Sequence, residues 1–465
     1  MKEFIGIHDK YRFEIKLNLD DRSDYKFEYY FFIPESLNIS YYTYDKSKFY
    51  SSLHQYIRYQ TPDVDFYLLF DTTNIISPIN RIVTYLDKLK NSTDRFVEER
   101  LIDEMKLFGC IVREKIRETN TANLLSLFSS VDESIEKINR IIRSYNYNKK
   151  IVDAFRYIDE YINIIKIERL TELAKDLNLD ETLKRKFEDY IDRSFKYIDF
   201  NGYKKILPDE IDYFLYHRSL LKKFVSSCLF LRVQMAFDFY HHLISSIASA
   251  LAMLFAILVT IYAQKKYPLE SALFIVIIVI SYVFKDRIKE FSKVFFSKLV
   301  GDYIYDRKLK IYEPVHHIKI GYIKESFSIL SKDSVGSDII RVRNIDNFDV
   351  IDEDAKFEVV LRYKKIIYLN RNIIDKYHTR RKNLVSILRF SIEDFLKHTD
   401  DAQIDYNLFY SGKKYTFAGK RNYHLNLVLK SLGRDGKMVY KRYRIIFNRD
   451  GILKVENILV DGGDV

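Results

Sequence analysis

The groups in this chain able to do chemistry are two histidine pairs, two cysteines and two acidic clusters, and none falls into a working pattern. His241-His242 and His316-His317 are adjacent pairs. Neighbours on a helix or strand point in different directions, so neither pair holds one metal ion without distant ligands. Cys110 and Cys228 form no CxxC. Two cysteines cannot staple a secreted fold, and they suit a reducing compartment. Asp352-Glu353-Asp354 and Asp400-Asp401 could hold Mg²⁺ or move protons. Both sit beside turn signals without a Gly-rich or basic partner, which reads as solvated turns. No GxxxxGK[ST], GxGxxG or GxSxG occurs. Gly433-Arg434-Asp435-Gly436 has the letters of a KH-type loop, but it joins two strand-like runs and reads as a hairpin turn. No catalytic residue, cofactor or metal site is assigned. Enzymatic activity stays open, with a non-catalytic role favoured.

Positive charge is the remaining polar signal. The chain carries a net +11. Near its C-terminus stand Arg380-Arg381-Lys382, Lys413-Lys414 and Lys420-Arg421, then Lys437, Lys441, Arg442, Arg444 and Arg449, interleaved with Tyr440 and Tyr443. On or beside one hairpin, Lys437, Lys441, Arg442, Arg444 and Arg449 could meet anionic lipid or acidic protein, or follow a phosphate backbone with the tyrosines stacking on bases, with 441 and 442 pointing to opposite sheet faces. A solvated face is the simpler reading. Nucleic acid is a possible partner but not the favoured one, and no protein partner is named by the sequence.

The elements that must position these residues are organised around one apolar feature. Leu243 to Ala263 runs without a charge, and a second apolar run, Ser271 to Phe284, follows closely. About 20 apolar residues cross the roughly 30 Å hydrocarbon core. The expectation is a two-helix transmembrane hairpin, with spans at about 243–263 and 267–284 and a basic amphipathic helix at 285–299. Lys223, Arg232, Lys285, Arg287, Lys289, Lys293 and Lys298 flank the pair, against Lys265 and Lys266 in its loop. That imbalance puts both termini in the cytoplasm of a bacterial inner-membrane, multi-pass protein whose lipid partner is the anionic inner leaflet. Ala248, Ala252, Ala256 and Thr260 repeat every fourth residue, with Ser245 and Ser249 beside them. Small residues so spaced receive a close helix, either the hairpin's own partner or a second copy in a homo-oligomer.

The fold class expected is α+β, in four parts. Residues 1–75 are a mixed β/α segment: strands at Phe13–Leu19 and Tyr25–Ile33 as a hairpin, a helix from Asp45 to about Arg58, and a strand Phe66–Phe70. Residues 76–207 are a helical bundle. It opens on Ser77-Pro78, includes a helix over Asp94–Glu118, and shows buried faces at Val131, Ile135, Ile138 and Ile142 and at Ile151, Phe155, Ile158, Ile162 and Ile165. Residues 208–300 are the membrane region, with a helix from Pro208 running into it. Residues 301–465 are a basic, mainly antiparallel β domain. Its strands are Ile318–Leu330, Phe357–Leu369, Tyr423–Leu432, Met438–Phe447 and Ile452–Leu459, with a helix at Leu384–His398. These parts suit a binding, scaffold, sensor or effector protein. An oligomeric pore and a membrane-tethered enzyme are the alternatives.

Overall fold

The computed structural model describes residues 3–460 except 72, 91–93, 176–179, 237–238, 269–270, 300–304, 346–357, 379, 382 and 434. Asp352-Glu353-Asp354, Lys382, Arg434 and the Leu269-Glu270 approach to the second apolar run lie outside the described residues.

In chain order the N-terminal elements are β1 (Glu3–Ile7), β2 (Arg12–Leu19), β3 (Asp24–Pro34), α1 (Lys46–Ser52), β4 (Leu53–Tyr59) and α2 (Phe66–Phe70). Helices follow: α3 (Pro78–Lys90), α4 (Arg95–Glu118), α5 (Leu124–Ser144), α6 (Lys149–Ala174), α7 (Glu181–Asn201) and α8 (Ile211–Ser226). Strand β5 (Arg232–Met235) leads to helices α9 (Phe239–Lys266) and α10 (Ala272–Leu299), then to β6 (Arg307–Tyr312). The rest comprises β7 (Lys319–Leu330), α11 (Ser337–Asn344), β8 (Glu358–Leu369), α12 (Arg371–Tyr377), β9 (Leu384–Ser391), α13 (Glu393–Leu396), β10 (Gln403–Tyr410), β11 (Lys413–Lys420), β12 (Tyr423–Leu432), β13 (Met438–Asn448) and β14 (Gly451–Ile458).

The fold is mixed helix and sheet, and the C-terminal strands are antiparallel. The strands form a large sheet, β14-β13-β12-β3-β8-β7-β6-β5, a small sheet, β1-β2-β9-β4, and a separate two-stranded ribbon, β10-β11. The two larger sheets face each other. Phe31 of β3 stacks on Phe390 of β9 at 5.1 Å, and Phe49 of α1 stacks on Phe327 of β7 at 4.1 Å. The opposite face of β3 packs Tyr30 and Phe32 with Val360 and Val428 beneath Val335, Ile339 and Val342 of the α11 region. A strand covered on both sides must be apolar on both sides, which is why Tyr29 to Ile33 reads as one unbroken run.

The structure corrects several expectations. β2 and β3 are not a hairpin: β2 pairs with β1 and β9, and β3 with β8 and β12. The two strands serve opposite sheets, so the turn between them passes from one sheet to the other at the surface. The parts read as 1–75 and 301–465 are interleaved, since β3 lies between C-terminal strands in one sheet and β9 lies between N-terminal strands in the other. Phe66–Phe70 is a helix, and the expected helix after Asp45 ends at Ser52, where β4 begins. Leu384–Ser391 is a strand. Its apolar residues fit a helical period by chance, because β9 is buried along both faces and shows no alternation. The helix after Pro208 stops at Ser226, and β5 separates it from the apolar helices.

The expected pair of spans is also revised. Among the described residues one helix, Ser245–Lys266, is long and apolar enough to cross a membrane. α10 is not, because its uncharged stretch begins at Ala272 and ends at Lys285, short of the roughly 20 residues a span needs. α9 and α10 pack against each other as an antiparallel pair.

Candidate functional site

Where the helical part meets the sheets, a cleft of about 320 Å³ is lined by Arg81, Arg100, Asp103, Glu104, His316, Lys376, His378, Arg380 and Arg381, among others. α4 supplies Arg100, Asp103 and Glu104. The turn after β6 supplies His316, and the turn after α12 supplies His378, Arg380 and Arg381. Arg381 pairs with Asp103 and donates to the Cys228 carbonyl at 2.9 Å; Arg380 pairs with Glu104 and donates to the Ile76 carbonyl at 3.0 Å. These buried pairs clamp the bundle to the sheets. With Arg81, Arg100 and Lys376 also on the wall, five cations line the cleft against the two carboxylates Asp103 and Glu104.

At the cleft's inner edge Glu313 gathers two histidines. Its Oε2 accepts from the His316 backbone N–H at 2.5 Å and from Nδ1 of the same residue at 2.8 Å. Its Oε1 lies 3.5 Å from His378 Nε2. Arg100 approaches His316 Nε2 at 2.9 Å. A guanidinium only donates, so Nε2 is the acceptor and the ring proton sits on Nδ1, aimed at Glu313. Rings wedge the group: His316 contacts Tyr377 at 4.7 Å, and His378 contacts Tyr59 at 4.9 Å. Burial alone would raise the Glu313 carboxyl, but the nearby His378 ring and the hydrogen bonds from His316 outweigh it and hold the pKa at about 2. Burial pushes the His378 imidazole down, opposed by Glu313 and reinforced by Arg381.

Glu313, His316 and His378 have the types of a two-histidine, one-carboxylate metal site, with ligand atoms within 4.8 Å of one another. Their surroundings do not suit a cation. Coordination through His316 Nδ1 would move the ring proton to Nε2, against the Arg100 guanidinium, and Arg381 stands behind His378. The arrangement fits a hydrogen-bonded acid–base array beside an anion-attracting wall. Sequence spacing does not reveal it, since Glu313 and His378 lie far apart in the chain and distant ligands are not visible from His316 alone. The cysteines, also distant in sequence, lie with sulfurs 4.0 Å apart, buried behind Arg381.

The small-residue stripe is brought together as a packing face. Ala248 and Ala252 are buried, while Ser245, Ser249, Ala256 and Thr260 are half-buried. α10 covers this side, and Thr260 bonds back to the Ala256 carbonyl at 2.8 Å. The rest of the α9–α10 surface is exposed and apolar, including Leu251, Leu254, Leu258, Ile275, Val279 and Val283.

The basic face is not assembled as expected. Arg442 is 1% exposed and Arg444 5%, because their side of β13 lies on the face that α11 covers. Arg442 donates to Asn426 at 3.2 Å and Arg444 meets Glu456 at 3.5 Å. Arg449 is exposed but paired with Asp401 at 2.5 Å, Lys441 is half-buried, and Lys437 is exposed. Tyr440 donates to Asp338 at 2.6 Å and Tyr443 is buried, so neither offers a free ring face to a base.

Set against known protein families, curated proteins and solved structures, the chain matches none.

Proposed function

We propose that this is a membrane-anchored binding protein of the sensor or effector kind. In this reading α9 and α10 enter the inner membrane of a bacterium as a hairpin, both termini are cytoplasmic, and the cleft beside Arg100 and His316 receives a small anionic ligand. The observation that carries the anchoring is strand pairing. β5 ends at Met235 and β6 begins at Arg307, and the two pair antiparallel, Met235 opposite Leu309. Residues from both sides of the apolar helices also share the large sheet, as β3 between β8 and β12. A single crossing would put these strands on opposite sides of a bilayer. If α9 crosses, α10 must therefore return, and its short apolar stretch can be extended by Tyr282 at the interface and by lysines that snorkel. The flanking basic residues, seven against two in the loop, support the cytoplasmic side.

The pore alternative loses its assembly surface, because the small-residue face is taken up by the hairpin itself. The enzyme alternative has an acid–base array in Glu313 and its histidines, but no serine, threonine or cysteine is among the described residues that line the cleft.

Topology is tested by single-cysteine labelling in a background lacking Cys110 and Cys228. Lys266→Cys should react with an impermeant maleimide added outside spheroplasts, and Leu459→Cys only after lysis. Reaction of Lys266→Cys only after lysis would sink the hairpin.

A further inference from the structure

β10 and β11 form a ribbon that the sequence reading missed. They pair from Gln403–Lys420 to Tyr410–Lys413, closed by Ser411 and Gly412, both with positive φ. Every residue of both strands is exposed except half-buried Gly419. The register separates two faces. One carries Ile404, Tyr406, Leu408 and Tyr410 opposite Gly419, Phe417, Tyr415 and Lys413. The other carries Gln403, Asp405, Asn407 and Phe409 opposite Lys420, Ala418, Thr416 and Lys414. Tyr406 is 65% exposed, Tyr410 69% and Phe417 54%. A lone two-stranded ribbon is marginal in water, and one apolar face left open needs a cover.

Two observations choose the cover. The first is placement. Along the large sheet, Asn426 pairs with Phe32, Pro34 with Glu358, Leu330 with Val360, Arg307 with Glu325, and Met235 with Leu309. Tyr423, where the ribbon rejoins the sheet, therefore lies at one end of the sheet, and β5 runs toward that end while β6 runs away from it, with Met235 and Arg307 at the levels of Ile323 and Glu325, midway along β7. Across the sheet, β12 and β6 are four strand spacings apart, about 19 Å. The chain thus leaves β5 for the apolar hairpin in the direction of the end that carries the ribbon. The second is charge. Lys413, Lys414 and Lys420 outnumber Asp405, and the first two sit at the tip beside Phe409 and Tyr410. Aromatic rings with lysines at the rim are the composition of an interfacial membrane element.

We infer that the β10–β11 ribbon is a second membrane-contacting element, laying its Ile404–Tyr406–Leu408–Phe417 face into the interfacial layer of an anionic leaflet. The inference rests on the anchored reading above. The chain contains no tryptophan, so one introduced indole reports one place. The full chain is reconstituted in vesicles of phosphatidylcholine and phosphatidylglycerol, three to one, with brominated acyl chains as quencher. Tyr406→Trp should be quenched roughly twofold more than Asn407→Trp, as for a ring ~5–10 Å inside the boundary against one on the solvent side. Lys413→Glu combined with Lys414→Glu should lower that quenching to its level in phosphatidylcholine alone. Leu254→Trp in α9 monitors anchoring. If Leu254→Trp is quenched and Tyr406→Trp is not, the ribbon inference falls and the anchored reading stands. If neither is quenched, both fall. Blue-shifted but unquenched Tyr406→Trp emission means protein covers the face, which also overturns it. Indifference to the lysine reversals removes the anionic leaflet from the assignment.

Discussion

Glu325 and Lys365 lie opposite each other between the two sheets, fully buried, whereas Glu313 sits buried behind the wall of a cleft that its two histidines line. Glu325 accepts from Gln55 at 2.6 Å and from the Tyr363 hydroxyl, and Lys365 donates to Ser386 at 3.0 Å. These bonds tie β4 and β9 of one sheet to β7 and β8 of the other. The two groupings use the same chemistry to different ends. Burial pushes the Lys365 ammonium down to about 8, with Glu325 opposing only part of the shift, so the fold carries a charge at a cost. Hydrogen bonds pull Glu313 down to about 2 despite burial, so the fold gains from that charge. Buried charges of the first kind, bonded across the interface, fix how two sheets meet; a carboxylate of the second kind fixes a histidine that a ligand can reach.

The comparison is sharpest at Lys365. Lys365→Met leaves the buried Glu325 carboxylate without its facing ammonium, and such losses run to about 3–5 kcal/mol. Lys365→Met with Glu325→Gln keeps an acceptor for Gln55 and Tyr363 and should recover most of it in denaturant unfolding. If the single variant is as stable as the parent, the pair does not join the sheets. Both sites make stability rise with pH, but in different windows. A depressed lysine lets stability rise as pH climbs from about 8 to 10.5. Glu313→Gln should instead remove a contribution of about 3 kcal/mol, the value of a 2.5-unit depression, present above pH 4.5 and lost as pH falls toward 2. The parent-minus-variant difference in unfolding free energy across that acid range is the readout, and a flat difference would contradict the array. Arg100→Ala should be mildest, about 1 kcal/mol for one hydrogen bond to His316, with a larger loss in phosphate or carboxylate binding at the cleft measured calorimetrically.

How much of this was legible follows from periodicity. Helices with one apolar face, such as α5 with Val131, Ile135, Ile138 and Ile142 buried, read correctly. So did strand runs bounded by turn residues, as at β13 and β14, where Asn448 to Gly451 makes the turn. β9 escapes a periodicity reading because it is covered on both sides and offers no alternation. Non-local partnering escapes it too: nothing in Asp24–Pro34 names its partners in β8 and β12, and nothing in Glu313 names His378. The ribbon is hard to place for the opposite reason: its residues alternate, but neither face enters the core. Arg442 and Arg444 were placed outside because charge suggests solvent, whereas α11 roofs that side of the sheet.

The position of β3 also sets a timetable for making the molecule. Its neighbours are β8 and β12, the latter ending at Leu432. A ribosome adding about 5–20 residues each second needs roughly 20–80 s to deliver those last strands after β3 has emerged. Through that interval Tyr25, Phe27, Tyr29 and Phe31 have no sheet to enter, and both apolar helices are synthesised before the first partner, β8, appears. In the anchored reading, insertion comes first and the head closes afterwards. A chain delayed at the membrane leaves an aromatic strand open to aggregation or to a chaperone.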